Sequence, residues 1–116
     1  MIASWVKYMA NEYIIVQTHT NKKHISEIIA ETLIKKRLVA CVNLYPTNLS
    51  MYCYDDKLVT DEEVLIHAKT TSDRFSEVER VIEELHNYKT PEIISIEISN
   101  GSSKYLRWLK NEVRAK

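Results

Sequence analysis

Glycine is almost missing from this chain, with one residue, Gly101, in 116. A P-loop and a dinucleotide fingerprint both need several glycines for backbone to approach phosphate, so nucleotide sites of those kinds are excluded. An excess of one charge is also missing, because 16 Lys and Arg face 16 Asp and Glu. No field draws the whole molecule to nucleic acid or to an anionic membrane, and neither is expected as a partner. No apolar run approaches the roughly 20 residues that span a bilayer, and residues 1–11 lack a continuous hydrophobic stretch with a cleavage site. Cysteine is scarce. Cys41 and Cys53 show neither disulfide-framework spacing nor a C-x-x-C pair, which predicts reduced thiols in a cytoplasmic protein, packed as small residues within apolar strands. A G-x-S-x-G elbow, an H-E-x-x-H helix and paired C-x-x-C motifs are all absent, and no enzyme is expected.

What is present is a 45% hydrophobic content over the length of one domain. Residues 1–11, with Ile2, Trp5, Val6 and Met9, read as a tail, and residues 12–116 as a single domain. Tyr13 to Val16 reads as a buried strand ending before a helix N-cap among Thr18, Thr20 and Asn21. Ile25, Ile28, Ile29 and Leu33 mark an amphipathic helix from Lys22 to Arg37. Its closing Lys35, Lys36 and Arg37 read as complements to the negative end of the helix dipole. Val39 to Tyr54 reads as a long bent strand, Asp55 to Lys57 as a turn, and Val64 to Lys69 as a returning strand. Asp73 to Asn87 is a second helix with Ser72 or Asp73 as cap, Glu92 to Ser99 a last strand, and Tyr105 to Leu109 lie on a final helix. The order β-α-β-β-α-β-α is that of an α+β, ferredoxin-like split βαβ sandwich with a long central hairpin and an extra C-terminal helix. RNA-binding domains share the order, but Glu63-Val64-Leu65-Ile66-His67 stands where they carry glycine and stacking aromatics.

A helix of 16 residues is about 24 Å long, whereas a strand of that length reaches roughly 50 Å. Part of the hairpin must therefore project, carrying Leu49, Met51, Tyr52 and Tyr54, and an uncovered apolar strand pair calls for another subunit. The competing possibility is a strand broken at Pro46 and folded back on the domain. Asp55, Asp56, Asp61, Glu62 and Glu63 read as a solvated hairpin tip, since they lack the spacing and glycine of a calcium loop. His86 ends a helix beside Tyr88, Pro91 and Glu92, gathering imidazole, phenol and carboxylate around one loop. Those groups suit a metal or small ligand; a histidine bonded to helix-end carbonyls is an equal alternative.

Leu38-Val39-Ala40-Cys41-Val42-Asn43-Leu44-Tyr45-Pro46 forms an L-x-A-C-x-N-x-x-P segment, followed by Ser50-Met51-Tyr52 and by Lys69-Thr70. His86-Asn87-Tyr88-Lys89-Thr90-Pro91-Glu92 is similar to H-P-Y-x-x-P-E, and Tyr105 to Leu109 forms Y-x-x-W-L. In these segments the sequence resembles the CutA divalent-cation-tolerance family. The resemblance implies a PII-like homotrimer and association with copper or another divalent cation, weakly bound. Of the family's copper donors only His86 carries over, because Gln17 and Leu85 replace a cysteine and a second histidine. Asp56 stands for a turn glycine, Tyr54 for a tryptophan and Asn87 for a proline. It further implies a ligand cleft with Tyr52, Lys69, Tyr88 and Glu92, and a trimer interface with Leu49, Met51, Tyr54 and Trp108. The expected function is a non-enzymatic, trimeric copper-tolerance or homeostasis protein; the alternative is a PII-like metabolite sensor or assembly scaffold.

Overall fold

A computed structural model describes residues 12–114, so the expected tail at 1–11 lies outside the described residues. Strand β1, Tyr13–Thr20, alternates strictly, with Ile14, Val16, Thr18 and Thr20 buried. It runs four residues beyond the expected Val16, because two β-branched threonines take core positions that pattern reading gives to apolar residues. Helix α1, Lys23–Lys35, starts behind Lys22 and not at an Asn21 cap; the Lys22 amide donates to Thr20 Oγ1 at 3.2 Å. Ile29 and Leu33 are fully buried and Ile25 packs beside them. Ile28, counted with that stripe from sequence, sits at its margin and is 43% exposed. The helix closes through Arg37 in the left-handed region (φ 57°) and a bond from the Leu38 amide to the Leu33 carbonyl, a Schellman ending without glycine.

Strands β2, Cys41–Tyr54, and β3, Lys57–Thr71, form one continuous hairpin. Asp55 and Asp56 both have positive φ, 51° and 59°, the backbone of a two-residue type I′ turn. β2 is not broken at Pro46. The register passes from Tyr45↔Leu65 to Asn48↔Glu63, so one extra residue in β2 is absorbed as a bulge, and β2 is an edge strand that tolerates proline. β3 is more than twice as long as expected because the acidic stretch Asp61 to Glu63 stays in the ladder.

The chain then makes a 3₁₀ turn, Ser72–Arg74, and helix α2, Phe75–Leu85. Neither Ser72 nor Asp73 caps it; Thr71 Oγ1 donates to the Asp73 carboxylate instead. Strand β4, Ile94–Glu97, pairs with β1, and helix α3, Ser103–Glu112, is capped by Ser102 Oγ, which accepts from the Tyr105 amide at 3.2 Å. The sheet order is β2-β3-β1-β4, antiparallel throughout.

Helices α1 and α2 cover one face, where Val16, Ile29, Leu33, Ile66, Ala68, Val78 and Ile82 close the core. On the other face α3 shields one end, its Tyr105 hydroxyl 3.8 Å from Cys41 Sγ and its Lys110 3.0 Å from Glu12. With 13 residues α1 reaches about 20 Å, while the 15 residues of β3 reach about 50 Å. The hairpin end therefore projects, leaving Leu49 65%, Met51 63%, Tyr54 68% and Leu58 74% exposed. Cys53 lies on this overhang and is exposed, so the core position expected for it is corrected; Cys41 is half-buried.

Candidate functional site

The bulge decides which side chains meet. Before it, Cys41, Asn43 and Tyr45 share the helix-free face with Leu65, His67 and Lys69; after it, Asn48, Ser50, Tyr52 and Tyr54 share that face with Glu63 and Asp61. One inserted residue turns the tyrosines toward β1 and the loop after α2, and sends Leu49, Met51 and Cys53 to the opposite side. The result is a cleft of about 870 Å³ between the hairpin, the end of β1 and the 88–92 loop, lined by His19, Tyr52, Asp61, Glu63, Tyr88 and Glu92 among others.

At its base Glu63 is only 7% exposed, and its carboxylate accepts a 2.5 Å bond from the Tyr88 hydroxyl. Burial, then that bond and the neighbouring charge, hold the Tyr88 phenol far above its ordinary range, so it stays a donor. On the outer wall the Tyr52 hydroxyl donates to Asp61 at 3.0 Å, and that bond raises its pKa. Sequence reading placed Asp61 and Glu63 in a solvated tip. The structure corrects this: only Asp55 and Asp56 form the turn, and Glu63 is a buried acceptor. Its one signal in sequence is its in-step position with Leu65 and His67 on the alternating strand.

His86 stands behind the cleft wall. Its Nε2 lies 2.7 Å from the His19 carbonyl, which can only accept, and its Nδ1 accepts from the Tyr88 amide at 3.0 Å. Both ring nitrogens are thus engaged in a neutral imidazole, and burial lowers its pKa against the opposing pull of the His19 carbonyl. In place of the metal donor expected from sequence, the structure gives His86 the work of fixing the loop that carries Tyr88, whose ring sits 4.8 Å from its own. Asn87 continues that work, accepting from Thr20 Oγ1 at 2.6 Å and donating to Asn21 Oδ1 at 2.9 Å.

The mouth of the cleft holds the imidazole that sequence reading missed. His19 Nδ1 is 3.4 Å from Glu92 Oε1, with the His19 side chain 15% and that of Glu92 43% exposed. Glu92 Oε2 accepts from Gln17 at 2.8 Å, and Gln17 Oε1 accepts from His67 Nε2 at 2.8 Å. Burial, with the Lys69 and His19 charges, lowers the His67 pKa. Tyr52, Tyr88 and Glu92 therefore converge as expected, whereas Lys69 does not. It sits six residues beyond Glu63 on β3, about 20 Å away along the strand, opposite Cys41 and Ile15. Among the described residues no three His, Cys, Asp or Glu side chains gather around one point that would hold a metal ion. None of the described helices is long and apolar enough to cross a membrane.

Comparison with known proteins agrees with the fold. Residues 14–112 match the family described as CutA1 divalent ion tolerance protein. The chain is 36% identical over 88 residues to the "Divalent-cation tolerance protein CutA" of Thermus thermophilus, covering 76% of this chain and 85% of that one. It is 35% identical over 101 residues to "Protein CutA 1, chloroplastic" of Oryza sativa subsp. japonica, covering 87% of this chain but 57% of that longer protein. A crystal structure of CutA1 from Oryza sativa superposes with a TM-score of 0.87 at 33% identity, over 92% of this chain and 98% of the other.

Proposed function

The chain belongs to the CutA1 divalent ion tolerance family, and from that premise we propose that it acts as a cytoplasmic, non-enzymatic homotrimer that takes up copper or another divalent cation weakly at the cleft mouth. The observation that carries this reading is the pairing of His19 Nδ1 with Glu92 Oε1 at 3.4 Å, a separation that a cation bonded to each at about 2.0–2.2 Å would span. Neutral imidazole suits copper, and Gln17 bonded to the second Glu92 oxygen orients the carboxylate as an outer-shell partner does. Two donors give modest affinity, and further ones would come from a neighbouring copy. Such a copy has a reason to be there. The wall of the cleft is the overhanging hairpin, whose Leu49, Met51 and Tyr54 are exposed, while Trp108 on α3 presents a further apolar patch at 44% exposure. The cleft is far larger than a cation needs, which favours a small polar ligand sharing it with the metal, beside the rings of Tyr52 and Tyr88.

Calorimetric titration with copper(II) tests the site. The unmodified protein is expected to give a weak, saturable isotherm, and His19→Ala with Glu92→Gln to abolish it. Retention of the isotherm in that double variant would refute the site, and no heat from the unmodified protein would refute metal uptake.

A further inference from the structure

On the helix side of the molecule, away from the cleft, a recess of about 390 Å³ is lined by Lys35, Lys36, Arg74, Glu77, Arg80 and Arg114. From these the geometry points to a second binding site, for a small soluble phosphorylated anion. The cations come from separate parts of the chain: the last turn of α1, the 3₁₀ turn, α2, and the segment after α3. Arg74 forms the floor. It is 3% exposed, donates to Glu77 Oε1 at 2.5 Å and to the Arg114 carbonyl, and its Nε has no partner among the described residues. The Arg114 amide in turn donates to the Arg37 carbonyl at 2.8 Å, which ties the segment after α3 to the end of α1.

From sequence the lysines and Arg37 that close α1 are complements to its dipole. That explanation is too small for what the fold assembles. A helix end presents about half a negative charge, so with Glu77 it offsets fewer than two of the five cations lining the recess, leaving a surplus of more than three. In a chain of net charge zero, such a surplus is an anion cradle: the exposed Lys35, Lys36, Arg80 and Arg114 can contact the ligand, Arg80 and Arg114 through paired N–H bonds, while Arg74, its Nη groups held by Glu77 and the Arg114 carbonyl, adds positive charge from beneath. The recess, about 390 Å³ and with Glu77 as the one carboxylate in its lining, has room for a compact ligand carrying one or two phosphoryl groups and not for an extended polyanion or a membrane surface.

Pyrophosphate is the probe. Titration calorimetry on the full chain is expected to show binding at low salt that weakens as salt rises. Lys36→Glu with Arg80→Glu, both at exposed positions, is expected to weaken it by at least about tenfold. The matched reversal Lys57→Glu with Lys104→Glu, at the hairpin tip and on α3, is expected to leave it unchanged. If the reversals at the recess disturb folding, Lys36→Gln with Arg80→Gln serves in their place. No pyrophosphate binding, or equal loss in the Lys57/Lys104 control, overturns the site. Sedimentation with phosphatidylserine vesicles, or binding of an RNA oligonucleotide, in the absence of pyrophosphate binding overturns it equally.

Discussion

Replacing Met51 and Leu58 together by glutamate tests whether copies of this chain join through the hairpin. Both side chains lie on the helix-side face of the overhang, 63% and 74% exposed, and neither belongs to the core cluster. Fully burying a Met or Leu is worth about 1.5–3 kcal/mol, so covering the exposed share of each recovers about 1–2 kcal/mol. Over two residues in three copies that amounts to about 6–12 kcal/mol, and the introduced carboxylates add a desolvation penalty. Every 1.4 kcal/mol is tenfold in an equilibrium constant, so assembly is expected to weaken by at least about four powers of ten. Sedimentation equilibrium at low micromolar concentration is then expected to give three times the mass of one chain for the unmodified protein and the mass of one chain for Met51→Glu/Leu58→Glu. The variant's circular dichroism is expected to stay close to native, because the helices pack on the far end of the sheet. A single-chain mass for the unmodified protein refutes the reasoning, as does a folded variant that keeps the assembled mass.

Two further outcomes follow from the cleft. Tyr88→Phe removes the donor to the buried Glu63 carboxylate and is expected to cost about 2 kcal/mol in urea unfolding at matched protein concentration; a change within about 0.5 kcal/mol would contradict the role given to that bond. His86 and His67 have folded-state pKa values below the ordinary 6.5, so on acidification the unfolded chain takes up protons first. Their contribution is complete above about pH 6.5 and is lost as pH falls toward the folded values, so the urea midpoint is expected to drop between neutral pH and about pH 5. His86→Gln is expected to flatten that slope, and an unchanged slope would show that His86 does not carry it.

Much of the fold was legible in the chain because it rests on local periodicity. The stripe of Ile25, Ile29 and Leu33 on α1 survives in the structure, Tyr13 to Val16 lie in a strand, and the comparison of helix and strand lengths foretells the exposed Leu49, Met51 and Tyr54. Element ends were less legible. Thr18 and Thr20 extend β1 as buried hydroxyl-bearing residues, and α2 starts after a 3₁₀ turn because Thr71 bonds Asp73 and leaves no side-chain cap. Of the cleft, Tyr52, Tyr88 and Glu92 were found, since each sits in a recognisable segment. His19 and Glu63 were missed because each lies among strand residues that carry no motif, and each acquires its meaning only from a partner 25 or more positions away.

Composition and patterning were therefore sufficient for the element order, the core stripe and the overhang, all of which depend on spacing along one segment. Packing in three dimensions alone settled three things: which face Tyr52 and Tyr54 occupy, that His86 spends both nitrogens on the backbone, and that Lys69 lies far from the cleft. The reason is physical. A single bulged residue reverses the side-chain parity of everything beyond it, and a histidine's available lone pair depends on carbonyl and amide groups brought to it by strands remote in the chain.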